Sequence, residues 1–124
     1  MADLLCLVIE DVALVRKLIA RVLGPEGYSV KTVADGHEAR SFLSQNSRLP
    51  DLVLSDLNLA GESGLDLAHE IRTLYQIPVL LMSGQADWEP APEFTFLAKP
   101  FTARELISSV RACPRPPVAP LACS

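Results

Sequence analysis

The chain is poor in the residues that build metal frameworks, disulfide scaffolds and nucleic-acid interfaces. Its 124 residues include three cysteines and two histidines. Cys6 stands near one end and Cys113 and Cys123 near the other, with no Cys-x-x-Cys spacing and no clustered histidine. A structural zinc site or a disulfide framework is therefore not expected, and the cysteines read as free thiols in a reducing compartment. Basic side chains are outnumbered, 11 against 15 acids for a net charge of −4, which leaves no positive footprint for direct binding of nucleic acid. No apolar run approaches the length of a membrane span, and Asp3 stands where a secretion signal needs positive charge, so a cytosolic location is expected. The glycines do not form a Gly-x-x-x-x-Gly-Lys phosphate loop; Gly24, Gly27 and Gly36 punctuate turns instead. No internal repeat is evident.

What is present is an ordinary globular balance, 49% hydrophobic and 21% charged, in a length that suits one domain. Residues 4–9 are a continuous apolar run, the mark of a strand covered on both faces, and they end in Glu10-Asp11. Over residues 13–23, Leu14, Leu18, Ile19, Val22 and Leu23 recur at helical spacing, with Arg16, Lys17 and Arg21 on a solvated side, and Gly24-Pro25 stops the helix. A second strand is predicted over 28–34. Asp35 caps a helix that runs to about Ser44 and carries Ala39, Phe42 and Leu43 inward.

Leu52-Val53-Leu54-Ser55-Asp56 is the next buried strand, and it delivers a carboxylate at its C-terminal end. Ser63-Gly64 opens a third helix with Leu65, Ala68, Ile71 and Leu74 on its apolar face and His69 off it. Residues 77–82 make a fourth strand ending at Ser83-Gly84, and 94–98 a fifth ending at Lys99-Pro100. Thr102 with Glu105 three residues on is a capping box that starts the last helix, whose inward residues are Leu106, Ile107 and Val110. Strands alternating with helices give a (βα)5 chain of α/β class, a doubly wound five-stranded parallel sheet of flavodoxin-like type. Residues 1–113 are expected to form this domain, and the proline-rich residues 114–124 a tail or linker.

Four strand ends carry chemistry: Glu10 and Asp11, Asp56, Ser83 and Lys99. A parallel sheet gathers those ends along one edge, where ligands of open α/β sheets bind. Three carboxylates brought together repel by about 4 kcal/mol per pair at 4 Å and an effective dielectric of 20. Lys99 supplies one balancing charge, and an oxygen-only cluster without His or Cys suits a hard divalent ion such as Mg2+.

This set, together with Asp56-Leu57-Asn58-Leu59, Ser63-Gly64-Leu65 and Lys99-Pro100-Phe101, resembles the receiver domain of two-component response regulators over nearly the whole chain. The resemblance implies a phosphoprotein of a signalling phosphorelay rather than an enzyme in the ordinary sense. It makes Asp56 the acceptor of a phosphoryl group from a histidine kinase or phosphotransfer protein. Asp11 would hold Mg2+ directly, Glu10 largely through water, and Asn58 through its backbone carbonyl, with Asp56 as a further ligand. Lys99 and Ser83 would meet the phosphoryl oxygens, and the Lys99-Pro100 bond would be cis. Phe96 matches the switch aromatic that signals to an output partner, but has no hydroxyl. Asn58 and Gln85 match the positions that tune phosphate loss. In this fold the first helix is also where a kinase docks.

The chain departs from the family pattern at Leu59-Ala60, where Met-Pro is usual, and at Ser83, where Thr is commoner. The fourth crossover departs most, because residues 85–93 include Pro90 and Pro92 and cannot hold a helix of three turns. A short or absent fourth helix is expected, as in the subgroup of receivers whose strand motif reads roughly Phe-Ala-Thr-Gly. Trp88 would then stand in a loop beside Phe96 as an apolar contact. Two other readings compete. A haloacid dehalogenase-like hydrolase also uses an Asp nucleophile with Mg2+, but wants a second acid where this chain has Asn58. A non-phosphorylated interaction module would not need Asp11, Asp56, Ser83 and Lys99 together.

Overall fold

Each central strand feeds two cores at once, and this double burial is why its apolar run is unbroken. The computed structural model describes residues 4–45, 47–59, 61–84 and 94–113. In chain order the elements are β1 (Leu4–Ile9), α1 (Ala13–Leu23), a 3-10 turn (Gly24–Glu26), β2 (Tyr28–Val33), α2 (Gly36–Gln45) and β3 (Leu52–Asp56). They continue with β4 (Asn58–Leu59), β5 (Glu62–Ser63), α3 (Gly64–Tyr75), β6 (Val79–Ser83), β7 (Thr95–Ala98) and α4 (Ala103–Ala112). The main sheet has five strands in the order β2-β1-β3-β6-β7, all parallel, while β4 and β5 pair antiparallel beside it.

Successive strand residues point to opposite faces, so the runs divide cleanly. Leu7, Ile9, Val53, Val79 and Leu81 meet Ala39 and Leu43 of α2 and Leu67, Ala68 and Ile71 of α3. Cys6, Val8, Leu54, Leu80 and Met82 meet Ile19 and Leu23 of α1 and Leu106 and Val110 of α4. The doubly wound five-stranded parallel sheet expected from the strand-helix alternation is observed, and its order is flavodoxin-like.

Helix starts follow local chemistry. Asp35 Oδ1 accepts the Glu38 amide at 2.9 Å, Ser63 Oγ accepts the Asp66 amide at 3.3 Å, and Thr102 and Glu105 form the reciprocal capping box. Helix faces were read less well. Leu14 (72%), Leu18 (50%) and Leu74 (65%) are exposed, and Leu67 takes the inward place expected of Leu74. His69 is exposed as expected, but its ring meets Phe94 edge-on, with centroids 4.9 Å apart. Cys6 and Cys113 are both buried. The bond before Pro100 is cis. Gly84 and Phe94, on either side of the fourth crossover, are non-helical; residues 85–93 themselves, with Gln85 and Trp88, lie outside the described residues, as do Cys123 and the tail 114–124.

Two glycines make opposite demands. A Cβ on Gly64 would overlap the Asp56 carbonyl oxygen and stand 2.7 Å from Leu57 Cα, both backbone atoms that cannot give way. Gly24 has helical φ −52° and ψ −54° and open space around it. Gly64→Ala is expected to lower stability by about 1–3 kcal/mol. Gly24→Ala is expected to change it by less than about 1 kcal/mol, because the freedom removed from the unfolded chain is offset by Pro25, whose ring disfavours a helical residue with a Cβ before it. Urea midpoints of the two variants check the difference.

Candidate functional site

The backbone ladder continues past the strand ends and fixes the residues that follow them. The Glu10 amide donates to Val33 O at 3.1 Å, Leu57 to Met82 O at 2.7 Å, and Lys99 to Ser83 O at 2.8 Å. Glu10, Asp56, Ser83 and Lys99 are thereby brought to one edge of the sheet. Glu10, Ser55, Asp56 and Ser83 are the buried polar residues among those described.

At the centre stands the Lys99 ammonium, 2.7 Å from Glu10 Oε1 and 2.9 Å from Asp56 Oδ2. The other oxygen of each carboxylate is also held. Glu10 Oε2 accepts the Val12 amide at 3.2 Å, and Asp56 Oδ1 accepts the Asn58 amide at 3.1 Å. Asp11 is exposed, yet Glu10, Asp11 and Asp56 each offer a ligand oxygen, all within 4.8 Å of one another.

Burial shapes the titration of this group. Full enclosure pushes the Glu10 carboxyl above its ordinary range, although Lys99 and the Val12 amide pull the other way. Burial alone would push the Lys99 ammonium down, but its hydrogen bonds to Glu10 and Asp56 outweigh that and raise it. With all three carboxylates ionised, the single ammonium leaves two negative charges uncompensated. An all-oxygen set of this charge fits a hard divalent cation in both donor type and separation.

The turn after Asp56 is tight. Leu57 O accepts the Gly64 amide at 2.7 Å, and Asn58 and Leu59 pair with Ser63 and Glu62. Ser83 ends β6 one residue beyond Met82, the register partner of Asp56, which puts it on the same rim. Phe96 is half-buried in β7 and packs on the core that includes residues of α2 and α3. Gln85 lies outside the described residues.

Sequence reasoning missed two contributors. Arg16, taken for part of a solvated face, donates from Nη1 to the Glu10 carbonyl at 2.7 Å. Its position early in α1 was the available signal, since the first turn of a helix leaving a strand end lies over that end. Gly64 was read only as a helix opening, whereas its missing Cβ is what lets the turn close on the Asp56 carbonyl.

Comparison with known proteins agrees with this geometry. Residues 6–111 match the family model described as response regulator receiver domain. The alkaline phosphatase synthesis transcriptional regulatory protein SphR of Synechococcus elongatus is 35% identical over 120 residues, covering 86% of this chain and 47% of that protein. The two-component response regulator PhoP of Pseudomonas aeruginosa is 34% identical over 113 residues, covering 86% and 49%. The chain thus spans about half the length of the curated relatives it matches. Among solved structures, the receiver domain of the hybrid histidine kinase CckA superposes with a TM-score of 0.74 at 34% identity, covering 86% of this chain and 95% of that one. The chemotaxis response regulator CheY4 of Vibrio cholerae gives a TM-score of 0.78 at 24% identity, covering 89% and 98%, which speaks to the fold. Receiver domains are phosphoacceptor signalling domains rather than conventional enzymes, and they bind Mg2+ at an acidic pocket. The chain belongs to the response regulator receiver domain family.

Proposed function

We propose that Asp56 accepts a phosphoryl group from a histidine kinase or phosphotransfer protein and that the acyl phosphate changes the surface offered to an output partner. The observation that carries this is the Asp56 carboxylate at the C-terminal rim of the sheet, with Lys99 2.9 Å from one oxygen and the Asn58 amide 3.1 Å from the other. In the transfer, an Asp56 oxygen bonds to phosphorus as the phosphorus–nitrogen bond to the donor histidine breaks, and the nitrogen keeps that electron pair. Lys99 would follow the charge to the phosphoryl oxygens, and the Ser83 hydroxyl would donate a hydrogen bond to one of them.

Glu10, Asp11, Asp56 and the Asn58 carbonyl are the groups that would hold Mg2+. When bound, the ion would offset the charge that spreads over the transferring phosphoryl group. Loss of the phosphate would depend on water held near Asn58 and Gln85, neutral amides that orient water without acting as bases. Phe96, lacking a hydroxyl, would report the change by ring position alone. The hydrolase reading is disfavoured by Asn58, which cannot serve as the second acid. Among the described residues no helix is long and apolar enough to cross a membrane. A cytoplasmic place is proposed from the kinase chemistry.

Acetyl phosphate with Mg2+ is expected to place one phosphoryl group on Asp56, as seen by mass spectrometry, and Asp56→Asn to take none. Lys99→Ala should slow the reaction by on the order of 10²-fold, the usual cost of removing a preorganised charge partner. An adduct of equal yield in Asp56→Asn would overturn the reading. Mg2+ should stabilise the wild type by about 2.7 kcal/mol at a hundred times its dissociation constant, and Asp11→Asn by much less at the same concentration.

Charge balance gives a pH signature. The raised Glu10 carboxyl means that the folded state binds its proton more readily than the unfolded one, so this group's contribution to stability is present at low pH and lost as pH rises through the raised value. Lys99→Ala removes the opposing ammonium. Because Lys99 is a quarter exposed (24%), the metal-free variant should lose about 1–3 kcal/mol at pH 7.5. It should regain part of that at pH 5.5, more than the wild type does. Thermal melts at the two pH values check the sign.

A further inference from the structure

The antiparallel pair β4–β5 is only two residues on each side, too short to hold itself in water. Yet it carries Asn58, whose carbonyl the function proposed above assigns to the metal. Its register sets Asn58 against Ser63 and Leu59 against Glu62. Leu59 is buried, which anchors one corner. The opposite corner is Glu62, and it is gripped by a side chain from another element.

Arg40 of α2 spreads its guanidinium between two carboxylates. Nη1 and Nη2 meet Glu62 Oε1 and Oε2 at 3.1 and 2.7 Å, and Nε and Nη2 meet Glu70 Oε2 and Oε1 of α3 at 2.9 and 3.0 Å. Both pairs are bidentate, the arrangement that fixes direction as well as distance. The Glu62 carboxylate lies directly against Gly36, where a Cβ would overlap it. The Arg40 hydrogen bonds also hold the Glu70 carboxyl below its ordinary range.

We infer that Arg40 is a positioning residue: by gripping Glu62 it holds the 58–63 hairpin in place and so sets where the Asn58 carbonyl stands beside Asp56. It touches neither Asp56 nor the acidic cluster and acts through β5 and then β4. The inference rests on the metal reading for its effect on Mg2+, but the ordering of the hairpin stands without metal. Since the Arg40 side chain is 42% exposed, the ion pairs add little to global stability. Their effect belongs to the turn.

The test uses the whole chain, isotope-labelled. Mg2+ is titrated while the Leu57 and Asn58 amide resonances are followed, and amide exchange of Asn58, Leu59, Glu62 and Ser63 is measured without metal. Arg40→Gln is expected to weaken Mg2+ binding about tenfold, as loss of a group that orients a metal ligand does. Glu62→Gln should do the same, and the double variant should be no worse than either single one, because both remove one contact. Arg40→Lys should recover part of the affinity. Exchange at the four amides should quicken in Arg40→Gln while the melting temperature stays close to wild type. Unchanged exchange in Arg40→Gln overturns the inference, as does unchanged Mg2+ affinity in that variant when Asp11→Asn lowers it. If Asp11→Asn also leaves Mg2+ binding intact, the metal reading fails, and quickened exchange would still uphold the hold of Arg40 on the hairpin.

Discussion

One ammonium shared between two buried carboxylates is the constraint on which this structure turns. Glu10 and Asp56 arrive from adjacent parallel strands, and neither can leave the rim without breaking its strand end. Lys99 lies 89 residues from one and 43 from the other in the chain. Their meeting requires that β1, β3, β6 and β7 all be in register, because the Lys99 amide itself docks on Ser83. The chemistry of the rim therefore exists only when the sheet is complete. An error in the last strand would leave carboxylates buried beside one another with no counter-charge, a strong penalty against the wrong fold.

The rim is stiff because its charges are held through backbone as well as side chains. The Val12 and Asn58 amides hold the carboxylate oxygens that Lys99 does not, and Arg16 holds the Glu10 carbonyl. Stiffness of this kind suits phosphoryl transfer, where positioning and charge do most of the catalytic work. It also leaves an excess of negative charge near a dry core, a local cost tolerated at functional sites. The tight approach of Gly64 to the Asp56 carbonyl belongs to the same compromise, trading backbone freedom for a turn that returns at once to the sheet.

Much of this was legible in the residues because it is local. Apolar runs of strand length marked the sheet, the Thr102 and Glu105 pair marked a helix start, and the residues at the ends of the runs marked the rim. What was not legible depends on partners far away in sequence. Periodicity placed Leu14, Leu18 and Leu74 inward, since it reports which residues share a helix face but not how far the sheet extends beneath it. Arg16 looked like a solvent-facing charge, and its exposure is indeed partial; only the neighbouring elements reveal what its guanidinium holds, and the same is true of Arg40. The β4–β5 pair follows from the turn geometry after Asp56, where two-residue strands leave no pattern to read.

The two-faced core has a further consequence at its far margin. Among the described residues β2 stands at one end of the sheet's order, and a strand at such an edge is in general a template on which other chains can add. This edge alternates half-buried Tyr28, Val30 and Thr32 with exposed Ser29 and Lys31. The Lys31 ammonium lies 5.8 Å from the centre of the Phe42 ring of α2. A lysine on an edge strand is one of the means by which sheets in general discourage pairing with other chains.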